Sequence, residues 1–209
     1  MSYRFPILAL IAFAILIVGI DAYIVVVALP EIGRELGFSA QTLQAVISGY
    51  AVTFGGFLLL GGRASDLLGR RRMFLLGLFL YAVASLAGGL ASSQELLIAA
   101  RAVQGLGGAL LFPATLALIS ALFAEGPERN RALSVWGGAG AGGLVLGSLL
   151  GGVLTQTLGW EAVFMVNVPL AVMALVAGLV LIPADPEREV GRRFDLPGAL
   201  TATDRKSVV

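Results

Sequence analysis

Neither cysteine nor histidine occurs anywhere in the 209 residues. Their absence excludes disulfides, thiolate metal sites, cysteine nucleophiles and histidine acid–base chemistry. Lysine occurs once, at Lys206 near the end of the chain. A Ser–Lys dyad within a membrane therefore has no lysine to use. An intramembrane aspartyl dyad lacks a second membrane carboxylate near Asp21. An enzyme is not expected, and neither is a metal or an organic cofactor. Charge is scarce as well, at 13% of residues, against about 25% in a soluble domain. The net charge of +1 gives no basis for nucleic-acid binding.

What fills the chain is apolar. Hydrophobic residues make up 58%, and the mean hydropathy is +0.93. There are 28 glycines without a collagen period. Six apolar runs stand out, over about 7–29, 43–61, 73–91, 96–123, 133–154 and 163–182. Each is long enough to cross a hydrocarbon core of about 30 Å as a helix. The first is too long for a signal peptide, contains Asp21 and leads into five more runs, so it reads as a retained helix. The lipid bilayer is thus the first expected partner.

The connections alternate in charge. Twelve of the fourteen basic residues fall at one set of ends, among them Arg4, Arg63, Arg70, Arg71, Arg72, Arg129 and Arg131. Arg34 lies on the other side and Arg101 lies within a run. The positive-inside rule then places both termini in the cytoplasm, with outer loops at 30–42, 92–95 and 155–162. Residues 1–183 form one six-helix unit. Residues 184–209 read as a cytoplasmic linker followed by an entry into a seventh span at 193–200, where the apolar run stops. The sequence therefore reads as the N-terminal part of a longer protein.

Three places carry chemistry. Asp21 lies well inside the first run, where a charged carboxylate costs about 2.5–3.5 kcal/mol on insertion scales. Such a group either serves as a reversible proton site or is a packing carboxylate satisfied by a neighbouring hydroxyl. Arg101 lies inside the fourth run and keeps its proton at physiological pH. It either faces a polar cavity or snorkels to the surface. Gln104, three residues on, shares its helix face. In the fifth run Gly143, Gly147 and Gly151 stand four apart, and Gly138 and Gly142 form a second such pair, the small-xxx-small pattern of close helix packing. Pro113 and Pro169 are expected to kink their spans. Between the second and third runs, 62–72 reads as a short loop. Its Asp66 sits beside Arg70 and Arg71, within reach of a pairing network, with Gly62 and Gly69 allowing close approach.

These features, in this order, resemble the major facilitator superfamily, and within it the fourteen-span drug:proton antiporters. Gly62, Asp66, Gly69, Arg70 and Arg71 resemble the family's cytoplasmic gating loop, with Ala64 where leucine is usual. Arg101, Gln104, Gly105 and Gly107 resemble its fourth-helix motif, associated with proton transfer. Gly143, Gly147, Gly151 and Gly152 resemble its fifth-helix antiporter motif, with Ser148 where proline is usual. The stretch 19–30 around Asp21 resembles the subgroup's first helix, and 159–169 its entry to helix six, where Glu161 and Ala162 replace the commoner arginine and tryptophan. The resemblance spans about 7–200. It implies an all-α integral membrane fold of six transmembrane helices, the N-terminal half of a major facilitator fold built from two inverted three-helix repeats.

It also implies a proton-coupled antiporter in a bacterial cytoplasmic membrane that exports small hydrophobic compounds or drugs. The proton gradient is the driving force in place of a cofactor, and no nucleotide-binding motif supports ATP-driven transport. Asp21, Arg101 and Gln104 are the expected proton-coupling residues. Tyr23, Tyr50, Phe54 and Asn167 are candidates for lining a substrate cavity. Expected partners are a small-molecule substrate and either a C-terminal half or a second copy of the chain. The alternative is a non-transporting membrane module that needs such a second body.

Overall fold

The computed structural model describes residues 4–185. They form helices only: α1 (Arg4–Glu35), α2 (Ala40–Leu68), α3 (Arg70–Gly89), α4 (Gln94–Leu122), α5 (Pro127–Leu158), α6 (Glu161–Met165) and α7 (Asn167–Leu181). The helices α6 and α7 together make one span, so six stretches are long and apolar enough to cross a membrane. The expected linker and seventh-span entry beyond Asp185 lie outside the described residues.

The helices run past the apolar segments at their ends. The first outer loop was expected at 30–42, yet α1 continues through Pro30 to Glu35. Apolarity marks the hydrocarbon-facing stretch, whereas a helix ends where its backbone bonds find a cap. Glu31 and Arg34 pair along this polar extension. The turn follows at Gly37, with φ 66°. Ser39 then caps α2: its Oγ accepts from the Thr42 amide at 3.1 Å, and its own amide donates to Thr42 Oγ1 at 3.0 Å. Ser93 starts α4 in the same way.

The packing order carries the internal symmetry. Helix α1 lies along α5, and α2 lies along α4; α3 packs on α4 and α7. Exchanging α1, α2 and α3 for α4, α5 and the α6–α7 span maps the first contact onto the second. This is the arrangement of two three-helix repeats forming half of a major facilitator fold.

Both long contacts depend on glycine. A Cβ on Gly143 or Gly147 would drive into the backbone carbonyls of Leu16 and Ile20, and one on Gly151 would meet Ile24 O at 3.0 Å. Gly19 on α1 answers from the other side. In the α2–α4 contact, Gly105 lies against the Tyr50 carbonyl and Gly61 against the Ala109 carbonyl. Gly107 packs on α3, 2.9 Å from Gly77 O measured at its would-be Cβ. Gly138, Gly142 and Gly152 differ from the expectation: a Cβ on any of them meets nothing within 4 Å. They lie off the 143–147–151 stripe, on the side of α5 turned away from α1.

The prolines act unequally. Pro113 lies within an unbroken α4. Its ring leaves Ala109 O without the usual i+4 donor, and that carbonyl is the one packed on Gly61. Pro169 lies just beyond an interruption, at Val166, that separates α6 from α7. It withdraws the donor that Met165 O would have used.

Gly147→Ala is expected to destabilise the protein by about 1–3 kcal/mol through backbone overpacking. Gly152→Ala is expected to be neutral or to stabilise by about 0.5–1 kcal/mol. Thermal unfolding of the detergent-purified variants measures both, and equal effects would overturn the packing assignment.

Candidate functional site

Asp21 lies near the middle of α1 and is fully buried. Its carboxylate is held by donors from two other helices. Arg101 Nη1 of α4 donates to Oδ2 at 2.6 Å. Gln104 Nε2, one turn further along α4, donates to Oδ1 at 2.8 Å. Asn167 Nδ2, the first residue of α7, donates to the same oxygen at 3.0 Å. Three donors from two helices thus converge on one buried carboxylate.

The guanidinium is equally committed. Arg101 Nη1 also donates to Gln104 Oε1 at 2.6 Å, and its Nε donates to the Val46 carbonyl of α2 at 3.2 Å. Its Cζ stands 4.5 Å from the centroid of the Tyr50 ring, a cation–π contact. Snorkelling is therefore not the reading the structure gives: Arg101 is 2% exposed and points inward. Gln104 Nε2 completes its bonds with Ser85 Oγ of α3 at 3.0 Å. The Tyr81 hydroxyl, also buried and one turn before Ser85, faces Asp21 and Tyr50.

The pair is costly to break. Removing one member of a buried ion pair leaves an uncompensated charge and typically costs about 3–5 kcal/mol. What the arrangement can do chemically follows from its composition. A carboxylate belongs to the residue types that exchange protons, whereas a guanidinium stays charged. There is no cluster of metal-binding side chains among the described residues.

From Arg101 an aromatic row runs outward. Tyr50 stacks on Phe54 with ring centroids 5.8 Å apart; Phe54 meets Phe112 edge-on at 5.9 Å, and Phe112 meets Trp136 at 5.0 Å. All four rings are half-buried. Gly108 makes room for them: a Cβ there would meet Phe54 Cδ2 at 3.0 Å and Tyr50 Oη at 3.2 Å. Trp136 Nε1 donates to Thr115 Oγ1 at 3.0 Å, which fixes the last ring.

Asp21, Arg101 and Gln104, grouped from sequence, thus come together in space. Tyr50 and Phe54 lie beside them. Tyr23 is apart, 49% exposed on α1. Asn167, expected among the cavity-lining residues, is instead fully buried in the Asp21 network. Ser85, Tyr81, Phe112 and Trp136 went unread in the sequence. The i, i+4 spacing of Tyr81 and Ser85 on one face of an apolar helix was the available signal.

The segment 62–72 departs further from expectation. It is helical except at Gly69, which turns the chain with φ 105°. Asp66 is exposed, and among the described residues no ion pair joins it to Arg70 or Arg71. Asp66 belongs to α2, whereas Arg70 and Arg71 open α3 beyond the Gly69 turn. The carboxylate that serves this junction is Asp185, beyond α7. It accepts from the Arg71 and Arg72 amides, each at 3.2 Å, and so caps α3, whose own N-cap residue has no side chain. Arg71 Nη2 donates to Leu179 O at 2.8 Å and Arg70 Nη1 to Ala117 O at 3.4 Å. Gly62 lies near the Pro113 ring. The junction therefore ties α3 to α4 and α7 at the basic end.

Comparison with known proteins agrees with the fold. The chain is 44% identical over 188 residues to a cephamycin export protein of Amycolatopsis lactamdurans, covering 90% of this chain and 39% of that protein. It is 47% identical over 195 residues to a puromycin resistance protein of Streptomyces alboniger, covering 92% and 38%. The chain thus spans about two-fifths of the length of these relatives. The crystal structure of a peptide transporter, POT, in complex with sulfate superposes with a TM-score of 0.76 at 17% identity, over 96% of this chain and 42% of that one; at this identity the likeness is one of fold. The sequence profile of the Major Facilitator Superfamily matches residues 11–202, and with the six spans, the paired three-helix repeats and these exporters beside it, the chain belongs to that superfamily of membrane transporters.

Proposed function

We propose that this six-helix unit is the N-terminal half of a proton-coupled drug antiporter that exports small hydrophobic compounds across the cytoplasmic membrane, with the basic end in the cytoplasm. The observation that carries the reading is the buried Asp21–Arg101 pair with its amide donors. A purely structural contact between α1 and α4 is served more cheaply by apolar side chains. A carboxylate at membrane depth, facing a fixed cation, is instead suited to binding a proton in one state and an arginine in another.

The identity to export and resistance proteins supports a drug or antibiotic as cargo. The half-buried aromatic row beside Arg101 offers flat apolar surface for it. Alternating access by rocking requires a second body. Helices α2 and α5 expose large apolar side chains, among them Phe57, Leu60, Leu149 and Val153, on which a C-terminal six-helix half or a second copy of the chain would seat. The Gly69 junction, capped by Asp185, is then one side of the cytoplasmic gate.

Asp21→Asn is expected to abolish drug-driven proton movement in everted membrane vesicles while leaving membrane insertion intact. Puromycin and lincomycin serve as test compounds, with the chain expressed alone and together with a second six-helix half. Normal proton-coupled efflux by Asp21→Asn would sink the assignment, and efflux by the chain alone would point to a homodimer. At the basic end, Asp185→Ala is expected to cost about 1 kcal/mol by uncapping α3; an unchanged unfolding midpoint would remove Asp185 from the gate.

A further inference from the structure

Asn167 occupies a position that proton exchange at Asp21 does not by itself require. Its side chain is fully buried. Its Nδ2 donates both to Asp21 Oδ1, at 3.0 Å, and to the Val163 carbonyl of α6, at 3.3 Å. Two oxygens around one atom fix that atom as the nitrogen. Its Oδ1 is buried without a partner. Asn167 is also the first residue after the interruption at Val166, so its side chain spans the break between α6 and α7.

The donors on Asp21 differ in what they can offer a protonated acid. An ionised carboxylate only accepts hydrogen bonds, whereas the acid must also donate one. Arg101 has no acceptor. Gln104 has its oxygen turned to Arg101 and its nitrogen turned to Asp21 and Ser85; reversing it would set its N–H groups against the Arg101 guanidinium, a donor facing a donor. Asn167 alone among the three bonded groups holds an acceptor in reserve. The charged and titratable groups that face Asp21 are Arg101 from α4, Tyr50 from α2 and Tyr81 from α3. Asn167 itself does not titrate, so any change at its amide reports its neighbour.

We propose that Asn167 is a positioning residue that reverses its side-chain amide when Asp21 takes up a proton, and thereby carries the protonation state of Asp21 to the break between α6 and α7. One proton from solvent binds Asp21 Oδ1, and the new O–H donates to Asn167 Oδ1. The reversal breaks both Nδ2 bonds, to Asp21 and to Val163 O, and sets Oδ1 towards that carbonyl and Nδ2 into the buried position Oδ1 held, so it requires the α6 carbonyl to draw away and water to reach Nδ2. The α6 carbonyl is then released from the side chain of α7. Deprotonation restores both bonds. The inference rests on Asp21 being the proton site, and it adds where the signal goes.

The chain contains two asparagines, Asn130 and Asn167, which makes the test direct. The full chain, labelled with 15N-asparagine and with 13C at the aspartate carboxyl, is titrated in lipid nanodiscs and followed by NMR. Asn130 lies exposed at the basic end of α5 and serves as internal control. The Asn167 side-chain amide is expected to shift with the same pH midpoint as the Asp21 carboxyl carbon, while Asn130 does not follow it. In Asp21→Asn, which also identifies the Asp21 signal, the Asn167 shift is expected to vanish. An Asp21 carboxyl that titrates while the Asn167 amide stays fixed overturns the proposal and leaves the proton-site reading standing. An Asp21 carboxyl that does not titrate overturns both. The wild-type titration decides between these results even where the variant does not fold.

Discussion

The Asp21–Arg101 ion pair is the constraint on which the rest of the interior depends. Each charge alone would be expensive at membrane depth, so each helix that carries one must present it to the other. The two residues are eighty positions apart, on the first helix of each three-helix repeat. Helices α1 and α4 are not each other's main partners: α1 lies along α5 and α4 along α2. The pair therefore bridges two tightly packed helix couples, and the couples set its geometry. Glycine contacts hold both couples at backbone distance, Gly143 and Gly147 against α1 in one, Gly61 and Gly105 against their opposite helix in the other. A single added methyl at these positions displaces a helix axis, and with it one end of the ion pair.

Much of this was legible in the sequence because charge and small size are both conspicuous in an apolar helix. Asp21, Arg101 and Gln104 interrupt runs that otherwise fit the hydrocarbon, and the energetic penalty on a charge there marks them. Asn167 was legible as a polar residue but not in its placement. A neutral amide costs far less to bury than a charge, and the break at Val166 sets which way the first residue of α7 points. Asp66 shows the opposite failure. Proximity in sequence to Arg70 and Arg71 suggested a pairing network, yet helical geometry carries Asp66 to the surface, and the carboxylate that caps α3 arrives from Asp185, more than a hundred residues away. Hydropathy likewise located the spans but not the helix ends, since Ser39, Ser93 and the positive-φ glycines decide where the backbone stops.

The two ends of the unit are built differently. At the end away from the arginine cluster, Gln94 Nε2 donates to the carbonyls of Leu36 and Gly37, and Trp160 Nε1 donates to Glu35 Oε2, all at 3.0 Å. These bonds join the end of α1 to α4 and to the start of α6. Trp160 and Phe164 stack edge-on among buried apolar side chains at the same end. At the basic end the ties run through long arginine side chains to carbonyls, from Arg70, Arg71 and Arg129. Arg70 and Arg71 make these ties through side chains with many rotamers, whereas the Trp160 indole that holds Glu35 is itself buried.

Charge balance links the ion pair to these ends. With Asp21 ionised, carboxylate and guanidinium sum to zero, and the buried site is neutral. A proton on Asp21 leaves the Arg101 cation uncompensated among Tyr50, Gln104 and the Val46 carbonyl. A lone buried cation is stabilised by water or by an anionic group far more than by neutral dipoles. In the proposed antiporter, protonation therefore raises the free energy of a closed site relative to one open to solvent, and deprotonation reverses the order. The exposed apolar faces of α2 and α5 carry no packed neighbour within this unit and so offer the least resistance to such an opening. The same imbalance gives cargo a role: an electron-rich aromatic compound placed over the guanidinium would share the Tyr50 contact and offset part of the uncompensated charge. In the proposed antiporter, cargo and proton would then act on one arginine from two sides, which is the physical requirement for exchanging one against the other.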